Sequence, residues 1–416
     1  MIRLLATLLV ALTNMVAQPL ATAGARPGVA ARELYVAPKG PHSGSCTRRR
    51  PCRTLARADE LAHPGTTVHV AAGHYSATTL RASGTAGARI RWVSDRRWAA
   101  KVSATSSGPV AMVAIVGAYV DVEGFDVTGR GGDGTVGIDV EGDYSRAIKN
   151  RVHNLAIPCG GSNGGAGIDL SGREVGHGQQ ALRNLVSHVG TGQPLGTCHL
   201  IHGIYATVPD VVIDNNIVLR SQADGIVSGH RSNNLIVANN TVVGNGEHGI
   251  DLGGSSVTRA FVVNNIVAYN RFSYGINECC GEDHPSGVHY IDNLSYRNSN
   301  DAVGADGAQA EITGELIAAP LFVNPAADNY HPRVGSPAIG SGTRIAAPRI
   351  DFDGNVRPKG AAVNRGAFSR PLGGTRSASA AQRWTTSRAT ASMRACREFG
   401  FLSTCPQSSA GLLCRT

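Results

Sequence analysis

Residues 225–277 read GIVSGHRSNNLIVANNTVVGNGEHGIDLGGSSVTRAFVVNNIVAYNRFSYGIN, two near-copies and the opening of a third of one pattern in which a Gly-Ile pair is followed by Asn and a short apolar run. Working outward, Gly-Ile recurs at 137, 167, 203, 225, 249 and 275, and the pairs alternate with Asn150, Asn184, Asn216, Asn240, Asn265 and Asn293. The last four pairs lie 22, 24 and 26 residues apart. That period fits one coil of a solenoid, whose units bury their apolar faces only by stacking on neighbours. Each isoleucine is expected to point inward. The residues two positions on, Val140, Leu170, Ala206 and Leu252, are also apolar, as the two-residue period of a strand requires.

Composition agrees with strands rather than helices. Of 416 residues 42% are hydrophobic, only 5% are aromatic and 52 are glycine, so the core must be built from small and β-branched side chains joined by tight turns. Arg3 ahead of the apolar run Leu4 to Leu12, with Ala21-Thr22-Ala23 behind it, reads as a signal peptide over 1–23. The run is shorter than the roughly 20 residues a membrane span needs, and no other segment is long enough. A secreted protein is therefore expected: periplasmic, extracellular or on the cell surface. Nine cysteines in an exported chain imply disulfides. Cys46 with Cys52, and Cys159 with Cys198, are the expected pairs, while adjacent Cys279 and Cys280 suit either a vicinal bond or separate partners. The formal charge of +9 is misleading, because residues 371–416 hold six arginines against one glutamate. Nucleic acid is thus disfavoured as a partner, and an acidic polysaccharide is retained.

The opening segment 33–100 differs from the repeats: Glu33 to Val36 and Thr66 to Val70 read as strands, and Cys52 to Ala62 as a short helix that would cover one end of the solenoid. Tyr35-Val36-Ala37-Pro38, Arg53-Thr54-Leu55 and Pro64 to Tyr75 resemble the N-terminal signature of secreted right-handed parallel β-helix proteins of the pectate-lyase-like superfamily. The resemblance implies an all-β, right-handed, single-stranded parallel β-helix over 101–300, with the asparagines stacked as an internal ladder. Beyond Asn300, Pro320 to Pro325, Asp328 to Pro332, Gly335 to Ile339, Asp351 to Asn355 and Gly366-Ala367-Phe368 resemble the module called choice-of-anchor Q, which implies a C-terminal cap over 301–370. Residues 371–416, rich in Ser, Ala, Arg and Thr, read as a disordered tail.

Two coils are enlarged. Asparagine to the next glycine takes 9, 9 and 10 residues at the last three junctions but 17 from Asn150 and 19 from Asn184, so inserted loops at 154–166 and 188–202 are expected to wall a cleft. Stacking the coils by the Gly-Ile register, about 4.8 Å apart, gives two columns. Before the glycine stand Val136, Ala166, His202, Asp224, His248 and Tyr274; after the isoleucine stand Asp139, Asp169, Tyr205, Val227, Asp251 and Asn277, all expected to face solvent. Such a cluster suits abstraction of a proton beside a sugar carboxylate, which needs a base, a donor to the leaving oxygen and a clamp on the carboxylate. His202 is assigned as base, Tyr205 as acid, His248 and Asp224 as orienting groups and Arg231 as charge stabiliser, with His199, His230, Asp251, Asn277 and Asp169 as substrate-binding residues. Only four lysines occur, Lys39, Lys101, Lys149 and Lys359, and Lys149 alone lies in the repeats, which disfavours a lysine base.

The expected function is that of an exported polysaccharide lyase acting by β-elimination on a uronic-acid polymer. The alternatives are a glycoside hydrolase on the same scaffold and a non-catalytic glycan-binding surface protein. Asp139 with Asp169, one coil apart, leaves open a Ca2+ site, a glycosidase carboxylate pair or simple solvation. Asp351 and Asp353 are a second candidate for Ca2+. Oligomeric state is left open.

Overall fold

The computed structural model describes residues 32–171, 176–253, 257–279, 285–305, 310–360 and 362–369. The signal peptide, the 371–416 tail and the pairing of Cys279 and Cys280 lie outside the described residues. Within them the chain is a right-handed parallel β-helix of three sheets with 11, 10 and 9 strands. Each coil passes through the sheets in turn: Arg146–Ile148 in the first, Arg151–Ala156 in the second and Gly165–Leu170 in the third, for example. The helix Leu55–Leu61 buries Leu55 and Ala58 beside the strand Arg32–Val36, and the side chain of Thr54 accepts from Arg57 N to cap it. The Cys46–Cys52 disulfide closes the loop ahead of it. Among the described residues no helix is long and apolar enough to cross a membrane.

The Gly-Ile pairs lie on the third sheet in register: Ile168 pairs with Ile204, Ile204 with Ile226, Ile226 with Ile250, and Ile250 with Ile276. The glycines are required by what faces them. A Cβ on Gly225 would sit 2.3 Å from Val242 Cγ1, and one on Gly249 2.3 Å from Val267 Cγ1. Val242 and Val267 belong to the second sheet, so the absent side chains let the valine column of one wall press against the backbone of another. Gly249→Ala is expected to cost about 1–3 kcal/mol by overpacking, read as a lower midpoint in urea unfolding.

The asparagines form the ladder implied by the resemblance. Asn150 Nδ2 donates to Asn184 Oδ1 at 3.2 Å, and the same bond links Asn184 to Asn216, Asn216 to Asn240, Asn240 to Asn265 and Asn265 to Asn293 at 2.9 to 3.0 Å. Each follows a residue of positive φ (Lys149, Arg183, Asn215, Asn239, Asn264, Asp292), which turns the chain sharply between the first and second sheets. A second ladder, unforeseen, runs through Asn245, Asn270 and Asn298, five residues further on in each coil. Its signal was present as a second asparagine with the same spacing.

Glu311–Thr313 and Leu316–Ile317 still extend the first and second sheets, and the chain beyond them, 318–360 and 362–369, covers the coils laterally. Asn215 Nδ2 donates to Ile350 O, Asn239 Nδ2 to Asn364 O and Asn264 Nδ2 to Thr343 O, while Phe322, Tyr330, Phe352 and Phe368 pack on Ile217, Leu219, Val243, Ile266 and Leu294. This explains why the second-sheet strands lack alternation: Val218 faces the interior and its neighbours Ile217 and Leu219 face the C-terminal segment.

Candidate active site

The outer face of the third sheet carries both titratable columns. The register holds across the enlarged coil, with Ala166 opposite His202, Asp169 opposite Tyr205, Tyr205 opposite Val227, Val227 opposite Asp251 and Asp251 opposite Asn277. The inserted loops are tied by the Cys159–Cys198 disulfide and stand over this face. Beneath them lies a cavity of about 400 Å3 whose lining includes Asn163 and Leu200 from the loops and Asp169, His202, Tyr205 and His230 from the coils. A second cavity of about 420 Å3, reaching Arg81, Asp139 and Glu141, shares Gly134 and Val136 with it. The two make a trough along the helix axis.

Behind His202 the groups are linked. His202 Nδ1 lies 3.2 Å from Asp224 Oδ2, within ion-pair range but without hydrogen-bond alignment. Asp224 Oδ1 is 3.0 Å from His248 Nδ1 and also accepts from the His248 backbone N–H. Asn277 Nδ2 donates to Asp251 Oδ1 at 2.9 Å. The expectation that both columns face solvent needs correction. Asp224, His248 and Asp251 are 4, 8 and 4% exposed. Phe272 meets the His248 ring edge-on, and the 188–202 loop closes over the neighbouring coils through Gln222 Oε1, which accepts from Gly196 and Thr197 N–H. Sequence periodicity gives the face of a strand but not what a distant loop lays over it.

The remaining assigned residues are spread unevenly. His230, exposed and with φ of 53°, brings its ring 6.2 Å from that of Tyr205. Arg231 is exposed beside it, and the cavity lining includes His230 but not Arg231. His199 stands on the rim, paired with Glu247. Leu200, Glu247 and Phe272 were missed by sequence reasoning, since rim residues on irregular loops carry no period.

Burial and charge set the protonation of this face. Burial, with a smaller push from Asp169, raises the Tyr205 hydroxyl to about 12, so it stays a proton donor. Burial and then the charges of Asp139 and Glu141 hold Asp169 well above the usual carboxylate range. A raised carboxyl binds its proton more tightly folded than unfolded, so stability is lost as pH climbs past the unfolded value of about 3.9. Asp169→Asn is therefore expected to melt higher than the parent at pH 7, and the gap should narrow toward pH 4. Elsewhere the carboxylates proposed for Ca2+ are committed: Asp351 accepts from Asn355 and Ser369 N–H, and Asp353 pairs with His331.

Among solved structures, the pectate lyase Pel9A matches with a TM-score of 0.57 over 82% of this chain and 96% of its own, at 18% identity. The fold is that of a pectate lyase. XylC in complex with xylose (TM-score 0.43, 10% identity, 81% of this chain and 98% of its own) and a rhamnogalacturonan lyase (0.41, 13%, 70% and 90%) are looser likenesses. No family model and no curated protein matches the chain. What the β-helix shares with Pel9A is architecture, and its chemistry has to be argued from its own residues.

Proposed function

We propose that the protein is an exported polysaccharide-active enzyme, a lyase that cleaves a uronic-acid polymer by β-elimination. The observation that carries this reading is that His202 and Tyr205 line one cavity, rings 5.5 Å apart, with Asp224 behind the histidine. His202 takes the proton from the carbon bearing the carboxylate. The electron pair forms the ring double bond, and the glycosidic oxygen leaves with the Tyr205 proton. Asp224, 3.2 Å behind it, orients His202. His230 and Asn163 in the lining are the polar groups that meet the sugar carboxylate, and Arg231, next to His230 in the chain, stabilises its charge. Two disulfides support an oxidising compartment, and the trough suits an extended chain.

One observation favours a hydrolase as the second reading. Asp139 and Asp169 are direct register partners, Ser171 donates to Asp139 at 2.8 Å, and Asp169 is biased to hold its proton. Two carboxyl groups on adjacent coils, one of them biased to hold its proton, are the kind of pair a retaining glycosidase uses.

One panel of acidic and neutral polysaccharides separates the readings. New ends that absorb in the ultraviolet as unsaturated uronyl groups support the lyase. New reducing ends without that absorbance, lost in Asp169→Asn, support the hydrolase. No new ends with retained binding leaves a glycan-binding protein.

A further inference from the structure

We propose that Asp224, His248 and Asp251 form a binding site for one divalent first-row transition-metal ion, represented by Zn2+. The repeat brings the three together. Asp224 and His248 occupy the same position, just before glycine, on adjacent coils, and Asp251 follows on the strand that His248 leads into. One donor atom from each lies within 4.8 Å of the others: His248 Nδ1 is 3.0 Å from Asp224 Oδ1 and 4.0 Å from Asp251 Oδ2. Ligands held at about 2.0–2.2 Å around a tetrahedral ion stand roughly 3.3 Å apart, so small side-chain adjustments complete the set.

Burial makes the case stronger than proximity alone. All three are buried, and two carboxylates with little access to water beside one imidazole favour a bound positive charge. His202 Nδ1, solvent-inaccessible and without a hydrogen bond, is turned to the same carboxylate at 3.2 Å. Supporting contacts fix the ligands as metal sites require: Asn277 Nδ2 holds Asp251 Oδ1, and the His248 backbone N–H holds Asp224 Oδ1.

The donor set selects the ion. Calcium takes six to eight oxygen ligands, whereas here an imidazole stands between two carboxylates and the Asn277 amide presents its nitrogen to the cluster. One nitrogen and two carboxylates suit zinc, cobalt or manganese. Ion binding displaces any proton on His248 Nδ1.

The test uses the full chain, free of any affinity tag and stripped with EDTA, titrated calorimetrically with Zn2+, Co2+ and Ca2+. One equivalent of Zn2+ is expected, with Co2+ developing a visible ligand-field spectrum and millimolar Ca2+ failing to compete. His248→Gln and the near-isosteric Asp251→Asn should each weaken Zn2+ binding at least 10- to 100-fold, with circular dichroism confirming the fold. Absence of a stoichiometric Zn2+ site, parental affinity in a folded variant, or Ca2+ binding as tight as Zn2+ would each overturn the proposal. Because the readout is binding, it stands or falls separately from the lyase reading.

Discussion

His202→Ala is expected to reduce release of unsaturated chain ends by about 10^2- to 10^4-fold, the range for loss of a positioned general base. The β-helix should be undisturbed, because His202 projects from the outer face of the third sheet into the cavity and its neighbour Ile204 supplies the core contact. Tyr205→Phe should lose activity on the same scale while keeping the ring. In the proposed elimination its hydroxyl, raised by burial, would supply the proton to the leaving oxygen. His202→Gln separates base from spacer: it keeps a polar side chain of similar reach but cannot accept and release a proton near neutral pH. Near-parental rates in folded His202→Gln or Tyr205→Phe would remove those residues from the chemistry, and the carboxylate pair Asp139 and Asp169 would become the leading candidate.

Asn240→Ala is expected to be among the most destabilising single changes in the coils, on the order of 3–5 kcal/mol. Asn240 Nδ2 donates to Ile213 O and Asn265 Oδ1, and its own Oδ1 accepts both the backbone N–H and the side-chain amide of Asn216. Alanine takes the acceptor from the Asn216 backbone N–H in a place closed to water, which costs about 1–3 kcal/mol, and also removes one acceptor of the Asn216 amide, which keeps Ala181 O, and one donor each to Ile213 O and Asn265 Oδ1. Asn240→Asp keeps the acceptor but turns an oxygen toward the Ile213 carbonyl, so it should not rescue. Urea unfolding checks both. A loss below about 1 kcal/mol would mean that water or a shifted turn replaces the ladder.

The repeat was legible because a stacked coil writes its geometry into the sequence at fixed spacing. Gly225 and Gly249 had to be small to admit Val242 and Val267, and Asn240 had to follow a left-handed residue and bond to Asn265. The same period aligned Asp169 with Tyr205 and Asp251 with Asn277 across loops of unequal length. Less legible was the outer face of the second sheet. Ile217 and Leu219 look as apolar as core residues because a segment more than 100 residues later in the chain covers them.

By itself, then, the sequence determined the β-helix, the ladder and the column in which each titratable side chain stands, because stacking repeats a local rule in every coil. Tertiary structure alone decided that Asp224, His248 and Asp251 are buried while His230 and Arg231 stay exposed, and that His202 and Tyr205 share a cavity. Those outcomes depend on where the irregular loops come to rest, and contacts between residues so far apart leave no periodic trace in the chain.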